Sequence, residues 1–343
     1  MSDIEFGCLP TIIGSMPHTD PTGACSLVIR YLQDIPVWPQ LPRHSSRENM
    51  YAQFSQGFPG VVLKDNRIYI DCTQDLDKPL EQLYTAYLEN DIGKYPIGPE
   101  YAAGLHQFLS LTDLSPLAVK GQITGPITWG LTITDSRKRS ILYDDILGDA
   151  VPKLLRLKAA WQEKELRKIS PNTIIFVDEP YMAAYGSTST GTLSSQKVIS
   201  LLDDVFRGIS GLKGVHCCGN TDWSILLSTG TDIISFDAYS YAESLSLYPA
   251  EVKKFLDRKG TIAWGIVPND EESLAKESVA SLKDRLEEAM APFTRKDIPF
   301  PQLIKQGLLT PSCGLASLVN GDAVALVFEL LTELSLKIKQ QYM

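Results

Sequence analysis

The pattern that most restricts this chain is a recurring pair. A short, continuously apolar run is followed by Gly/Pro or polar punctuation and then by a longer stretch with helical spacing. The runs fall near Thr11–Gly14, Ile35–Trp38, Leu117–Gly121, Thr173–Val177, Gly214–Cys217, Asp232–Phe236, Thr261–Gly265 and Gly307–Thr310. They do not alternate polar with apolar residues, and continuous apolar character belongs to parallel strands covered on both faces. Amphipathic segments separate them: Asp149–Ile169, Ser195–Ile209, Ser246–Lys259, Glu271–Ala291 and Asp322–Gln340. In the first, Leu154, Leu155, Ala159 and Leu166 gather near one helical face. Eight strands alternating with helices predict an α/β chain folded as a single (β/α)8 TIM barrel, and 343 residues suit one. No linker or change of composition divides residues 1–343, so one catalytic barrel is expected.

Two stretches break the rhythm. Val61–Leu63 and Arg67–Ile70, separated by Lys64-Asp65-Asn66, predict a β-hairpin inserted after the second strand. Gly186–Gln196 is a Ser/Thr/Gly loop after the fourth strand. It reads either as a solvated connection or as a lid, because loops after barrel strands surround the active site.

Charge and composition exclude several classes of function. The formal net charge is −9, which leaves no basic excess to displace the counterions of nucleic acid. No apolar run reaches the roughly 18 residues a membrane span needs. The start, MSDIEFGCLPTIIG, lacks a cationic segment followed by an apolar one. Six cysteines are too few for a disulfide scaffold in a chain of this length, so reduced thiols in the cytoplasm are expected.

The strongest chemical signal is Gly214-Val215-His216-Cys217-Cys218-Gly219-Asn220, at the end of the fifth predicted strand. Strand side chains alternate, so His216 and Cys218 share a face and Cys217 takes the other. An imidazole and a thiolate aimed at one point suit zinc. Cys313, in Thr310-Pro311-Ser312-Cys313-Gly314-Leu315, is a third candidate ligand that only barrel closure can bring near. Asp237, after the sixth strand, is a weaker oxygen ligand or a base behind the ligands. The competing reading is that these are ordinary core cysteines beside a core histidine. Cys8, Cys25 and Cys72 have no partner pattern.

Three protein ligands leave a coordination position open, as in catalytic zinc sites. A metal-bound thiol is deprotonated, whereas a free thiol is mostly protonated at neutral pH. A site rich in thiolate leaves a bound substrate sulfur nucleophilic, while water activation is better served by histidine-rich sets. The ligand set points to alkylation of a thiol.

With these residues in view, the chain resembles the C-terminal catalytic barrel of cobalamin-independent methionine synthase. That barrel belongs to a superfamily shared with uroporphyrinogen decarboxylase and zinc-dependent corrinoid methyltransferases. Five segments carry the resemblance in order along nearly the whole chain. They are Thr11-Ile12-Ile13-Gly14-Ser15-Met16-Pro17, Gly121-Gln122-Ile123-Thr124-Gly125-Pro126-Ile127-Thr128, Val177-Asp178-Glu179-Pro180, His216-Cys217-Cys218 and Pro311-Ser312-Cys313-Gly314-Leu315.

The resemblance implies zinc on His216, Cys218 and Cys313, with Asp237 where the family carries a glutamate ligand. It implies that Ile13, Ser15 and Asp178 contact the amino-acid part of homocysteine, with Asp178 catalytically placed beside the ligands. Trp129 lies where it would stack on a pterin or lean on a corrin. One position departs from the pattern. The family's amine-binding glutamate matches Ala52 in Asn49-Met50-Tyr51-Ala52-Gln53-Phe54, and Glu48 and Gln53 are only neighbours of that place. Losing a charge-assisted contact costs about 1.5–3 kcal/mol, enough to change the preferred thiol, for example to one like coenzyme M. The chain also begins at the first strand of the catalytic barrel. Single-barrel relatives imply a methylcorrinoid donor held on a carrier protein, and methyltetrahydrofolate is the other donor.

Two rivals remain. A decarboxylase of the uroporphyrinogen type needs cationic groups at the mouth, yet no Lys or Arg precedes Arg30, and the first loop is Ser15-Met16-Pro17-His18-Thr19-Asp20. A non-catalytic zinc- or corrinoid-binding module could use the same ligands without turnover.

Overall fold

The computed structural model describes residues 4–65, 67–187 and 193–343. Ten strands are formed among them: β1 (Leu9–Pro10), β2 (Val61–Lys64), β3 (Arg67–Ile70), β4 (Val119–Thr124), β5 (Thr134–Asp135), β6 (Thr173–Asp178), β7 (Leu212–Cys217), β8 (Ile233–Phe236), β9 (Thr261–Val267) and β10 (Gly307–Pro311). Seven of these make one all-parallel sheet in the order β1-β10-β9-β8-β7-β6-β4. Every residue of β4, β6, β8, β9 and β10 is buried, as befits strands covered on both faces, and in β4 this includes Lys120 and Gln122.

The helices that cover the sheet have local causes. The long helix Asp145–Leu166 starts at Asp144, whose carboxylate accepts the Ile146 and Leu147 N–H groups. Its buried side includes Leu154, Leu155, Ala159 and Leu166. The segment expected as a single helix over Glu271–Ala291 is two, Glu271–Leu274 and Val279–Thr294. Each has its own side-chain cap, from Asp270 and Ser278. Outside β8 and β9, Trp223, Phe236, Trp264 and Phe293 meet edge-to-face with ring centroids 5.6–6.0 Å apart.

Closure differs from the expected eight equal strands. The first strand is Leu9–Pro10 rather than Thr11–Gly14, and Ile35–Trp38 forms only an isolated bridge, Val37 to Lys120. Even so, the segment 34–40 touches both edges of the sheet. Ala118 and Lys120 donate backbone N–H groups to Asp34 and Pro36, and Gln40 donates to Gly14. Pro36 and Pro39 have no N–H, so a continuous ladder cannot form there.

The hairpin expectation also needs restating. β2 and β3 pair antiparallel, but they follow this irregular segment and the short helix Met50–Gln53 rather than a second sheet strand. β5 joins β3 in parallel to make a separate three-stranded sheet, which the sequence pattern did not reveal. Most of the loop expected over Gly186–Gln196 lies outside the described residues. No helix among the described residues is long and apolar enough to cross a membrane.

Candidate metal centre

Parallel register assembles the site at the carboxyl ends of the strands. Thr124 of β4 pairs with Asp178 of β6, and Asp178 pairs with His216 of β7. β7 ends at Cys217, and the next residue is Cys218. Cys217 is buried on the other side, its thiol donating to the Gly219 carbonyl at 3.6 Å, as strand alternation requires.

Cys313 arrives from the turn after β10. Asn269 holds that turn, donating to the Gly314 carbonyl at 3.1 Å and accepting from the Ser312 hydroxyl at 2.9 Å. Leu315 N–H donates to the Ser15 carbonyl at 2.8 Å. A Cβ on Gly314 would fall 2.1 Å from the Ser15 hydroxyl, so the glycine lets these two turns close with that hydroxyl in its present rotamer.

The ligand atoms of His216, Cys218 and Cys313 all lie within 4.8 Å of one another. Those spans suit a single small ion bonded at about 2.0–2.3 Å. The imidazole is prepared for such an ion. Its Nδ1 is 2.9 Å from the Ser235 hydroxyl, whereas Nε2 is buried and has no hydrogen-bond partner. An orphaned ring nitrogen facing two thiols is costly unless something binds it. Hydrogen bonding from Cys313, helped by the His216 imidazole, draws the Cys218 thiol down to about 4. The Cys313 thiol is pushed up by that same interaction and by burial. The donor set of one imidazole and two sulfurs fits zinc.

Asp178 is buried, and its Oδ1 has no partner. Burial pushes its carboxyl up to about 6, against the opposing pull of His216 and Lys120. Lys120 is itself wholly buried: its ammonium donates to the Ile13 carbonyl at 2.7 Å and lies 4.2 Å from the Phe176 ring centroid. Ile13 is thereby held through its backbone, and Ser15 follows one residue beyond Gly14.

Two expected site residues are occupied elsewhere. Asp237 is not in the group of three ligands; its Oδ1 accepts the Ser240 N–H at 2.7 Å and caps the helix Ala238–Ser246. Its charge still bears on Cys218 and His216. Trp129 is fully buried, donating its indole N–H to the Tyr51 carbonyl at 2.8 Å and packing on Phe58. No face of that ring is open to a pterin or a corrin.

Sequence reasoning missed Ser235 and Lys120, and reached Glu179 only as part of the segment Val177-Asp178-Glu179-Pro180. The wholly buried Glu179 accepts the Ile127 and Thr128 N–H groups at 2.9 and 2.7 Å, and burial pushes it up to about 7. A Cβ at Gly125 would lie 2.2 Å from that carboxyl, so the glycine is what lets it reach the helix end. Ser235 was findable only from register, since it is the β8 partner of His216. Lys120 carries no local signal, because its partner Ile13 is remote in sequence.

Solved structures share this architecture. A B12-independent methionine synthase from a Shewanella species, in complex with selenomethionine, superposes with a TM-score of 0.56 at 15% identity, covering 97% of this chain and 98% of that one. A methyltransferase from Methanosarcina mazei superposes with a TM-score of 0.56 at 14% identity, covering 95% and 87%. The chain shares their fold. The first of them is also a member of the family that the sequence motifs resemble. No family model and no curated protein matches the sequence.

Proposed function

We propose that this chain is a zinc-dependent S-methyltransferase of the cobalamin-independent methionine synthase type, acting in the cytoplasm as one catalytic unit. In this reading the segment 34–40 is the eighth stave of a (β/α)8 barrel. The reaction is transfer of a methyl group to a thiol, with homocysteine as reference acceptor and a methylcorrinoid on a carrier protein or methyltetrahydrofolate as donor. The observation that carries it is the convergence of His216, Cys218 and Cys313 within 4.8 Å, with His216 Nε2 buried and unpartnered.

Zinc held by these three residues would supply the Lewis acidity that keeps an acceptor sulfur ionised at neutral pH. The rest falls to the chain's own groups. With Nδ1 protonated and donating to the Ser235 hydroxyl 2.9 Å away, Nε2 would be left as the metal-facing lone pair. Asp178, one strand from His216, presents an unpartnered carboxylate oxygen to a substrate ammonium. The Ser15 turn, packed against Gly314, would bind a substrate carboxylate. Burial of His216 and Asp178 excludes water from both. Fixing the sulfur in this way supplies orientation, a large part of the acceleration of a displacement reaction.

A second acceptor class is favoured by the surroundings of Ala52. Glu48 accepts the Ala103 N–H at 3.3 Å, and Gln53 is bonded at both ends, to Gln40 and to the Tyr101 carbonyl. Gln53 carries no charge, and Glu48, whose Oε2 is buried without a partner, is not among the residues lining the cavity beside Ala52, so a thiol without an α-ammonium, of the coenzyme M kind, fits as well.

The test is zinc content and turnover together. His216→Ala, Cys218→Ala and Cys313→Ala should each lose stoichiometric zinc and at least a thousandfold in methyl transfer. Donors and acceptors should be varied as a matrix, with product mass measured. Full activity in rigorously metal-free protein would refute the proposal.

A further inference from the structure

Four cavities among the described residues differ in their linings. Three carry charged side chains: Arg167 in one, Asp135, Arg139 and Asp144 in the second, and Asp144, Asp145 and Lys197 in the third. The fourth, about 360 Å³, carries none. Pro42, Tyr51, Ala52, Leu63 and Ile68 line it, together with two uncharged polar side chains. It lies between the hairpin β2–β3 and the short helix Met50–Gln53.

This cavity is tied to the strand ends that carry the metal centre. The Thr124 hydroxyl donates to the Met50 carbonyl at 2.7 Å, and the Trp129 indole donates to the Tyr51 carbonyl. Thr124, Asp178 and His216 are consecutive register partners on three adjacent strands. Adjacent strands lie about 4.8 Å apart, so Thr124 is roughly 10 Å from His216. Asp178 stands between them with its unpartnered oxygen. The Tyr51 phenol is within electrostatic reach of the Cys218 sulfur. Neither Glu48 nor Gln53 is among the residues that line the cavity.

We propose that the cavity lined by Tyr51, Ala52, Leu63 and Ile68 binds an uncharged, largely apolar tail of the acceptor thiol. This rests on the reading that His216, Cys218 and Cys313 mark the reacting end, and it names the substrate class. The sulfur lies at the three ligands, a hydrogen-bond donor passes Asp178, and the chain continues towards Tyr51 into an apolar end. Homocysteine fills only the inner part of that path. Each methylene moved from water into such a lining strengthens binding severalfold.

The probes are mercaptohexanol and mercaptoethanol, and their methyl thioethers, which have no thiol to ligate metal. Calorimetry on metal-free protein should show the hexanol thioether binding at least tenfold more tightly than the ethanol one. Ile68→Trp, which fills the cavity, should abolish that preference. Ala52→Leu, a smaller change with an unaltered Tm as the check on folding, should reduce it. In the zinc-loaded enzyme, Ile68→Trp should raise KM for mercaptohexanol at least tenfold relative to KM for mercaptoethanol. Equal binding of the two thioethers, or a preference untouched by both variants, overturns the proposal. So does a change confined to the KM of the donor. Absence of zinc and of turnover with the tail preference intact would instead sink the methyltransferase reading and leave the cavity's specificity standing.

Discussion

The two flanks of the sheet are built differently. From β6 to β10, each strand is held by a ladder to its neighbours, and the site residues sit at its ends in register. Across the gap between β1 and β4, the chain over residues 11–53 is interrupted by Pro17, Pro21, Pro36, Pro39 and Pro42. It is held by scattered bonds such as Gln40 to Gly14 and Thr11 to Ile35. The laddered flank carries the groups whose mutual distance matters to a metal, where tenths of an ångström count. The irregular flank carries Ile13, Ser15, Tyr51 and Ala52, which would meet the variable part of a substrate. Rigid reaction chemistry on ladders and adjustable recognition on loops is a division the fold makes possible.

The sharpest way to break this comparison is at the end of β7, where neighbouring cysteines should behave oppositely. Cys218→Ser should lose zinc and methyl transfer, whereas Cys217→Ser, on the far face, should keep at least half of each. Elemental analysis of the purified variants decides it. Behind the ligands, Ser235→Ala removes the partner of His216 Nδ1 and should weaken zinc binding about tenfold or more, measured by competition with a chelator.

On the irregular flank, effects should appear in stability rather than in metal content. Gly14 has φ of 146°, and a Cβ there would lie 2.6 Å from the Gln122 amide. Gly14→Ala should cost about 2 kcal/mol in denaturant unfolding, with the zinc sites still filling. A loss of zinc in that variant equal to its loss of stability would show the two flanks to be one cooperative unit.

The smallest expected effect is a pH dependence at Glu48. Burial raises its carboxyl to about 7, above the ordinary 4.5. The folded state therefore holds this proton more tightly than the unfolded state does. The stability it contributes is complete below about pH 4.5 and is lost as pH rises towards 7. Glu48→Gln should be more stable than the parent by about 1 kcal/mol near pH 8 and should lose that advantage near pH 4.5, as thermal unfolding at the two values will show.

Much of this was legible in the residues, for identifiable reasons. Continuous apolar runs located β4 and β6 to β10 to within a few residues, because doubly covered strands must be apolar throughout. Strand alternation placed His216 with Cys218 and turned Cys217 away. The run Ile35–Trp38 was equally apolar, but its prolines remove ladder donors, and composition alone did not weigh that. Asp237 and Trp129 had suitable chemistry and unsuitable engagements. A helix end took the Asp237 carboxylate, and Phe58 and the Tyr51 carbonyl took the indole.

By itself, the sequence determined the alternation of strand and helix, the acidic charge and the presence of one imidazole and two sulfurs able to hold a soft ion. Periodicity and side-chain chemistry are local properties, readable without a partner. Tertiary structure alone decided that Cys313 reaches Cys218, that Ser235 takes one nitrogen of His216, that Lys120 and Glu179 are buried and that an uncharged cavity opens beside Tyr51. Each of these depends on register and closure between segments remote along the chain, and no local pattern encodes such a distance.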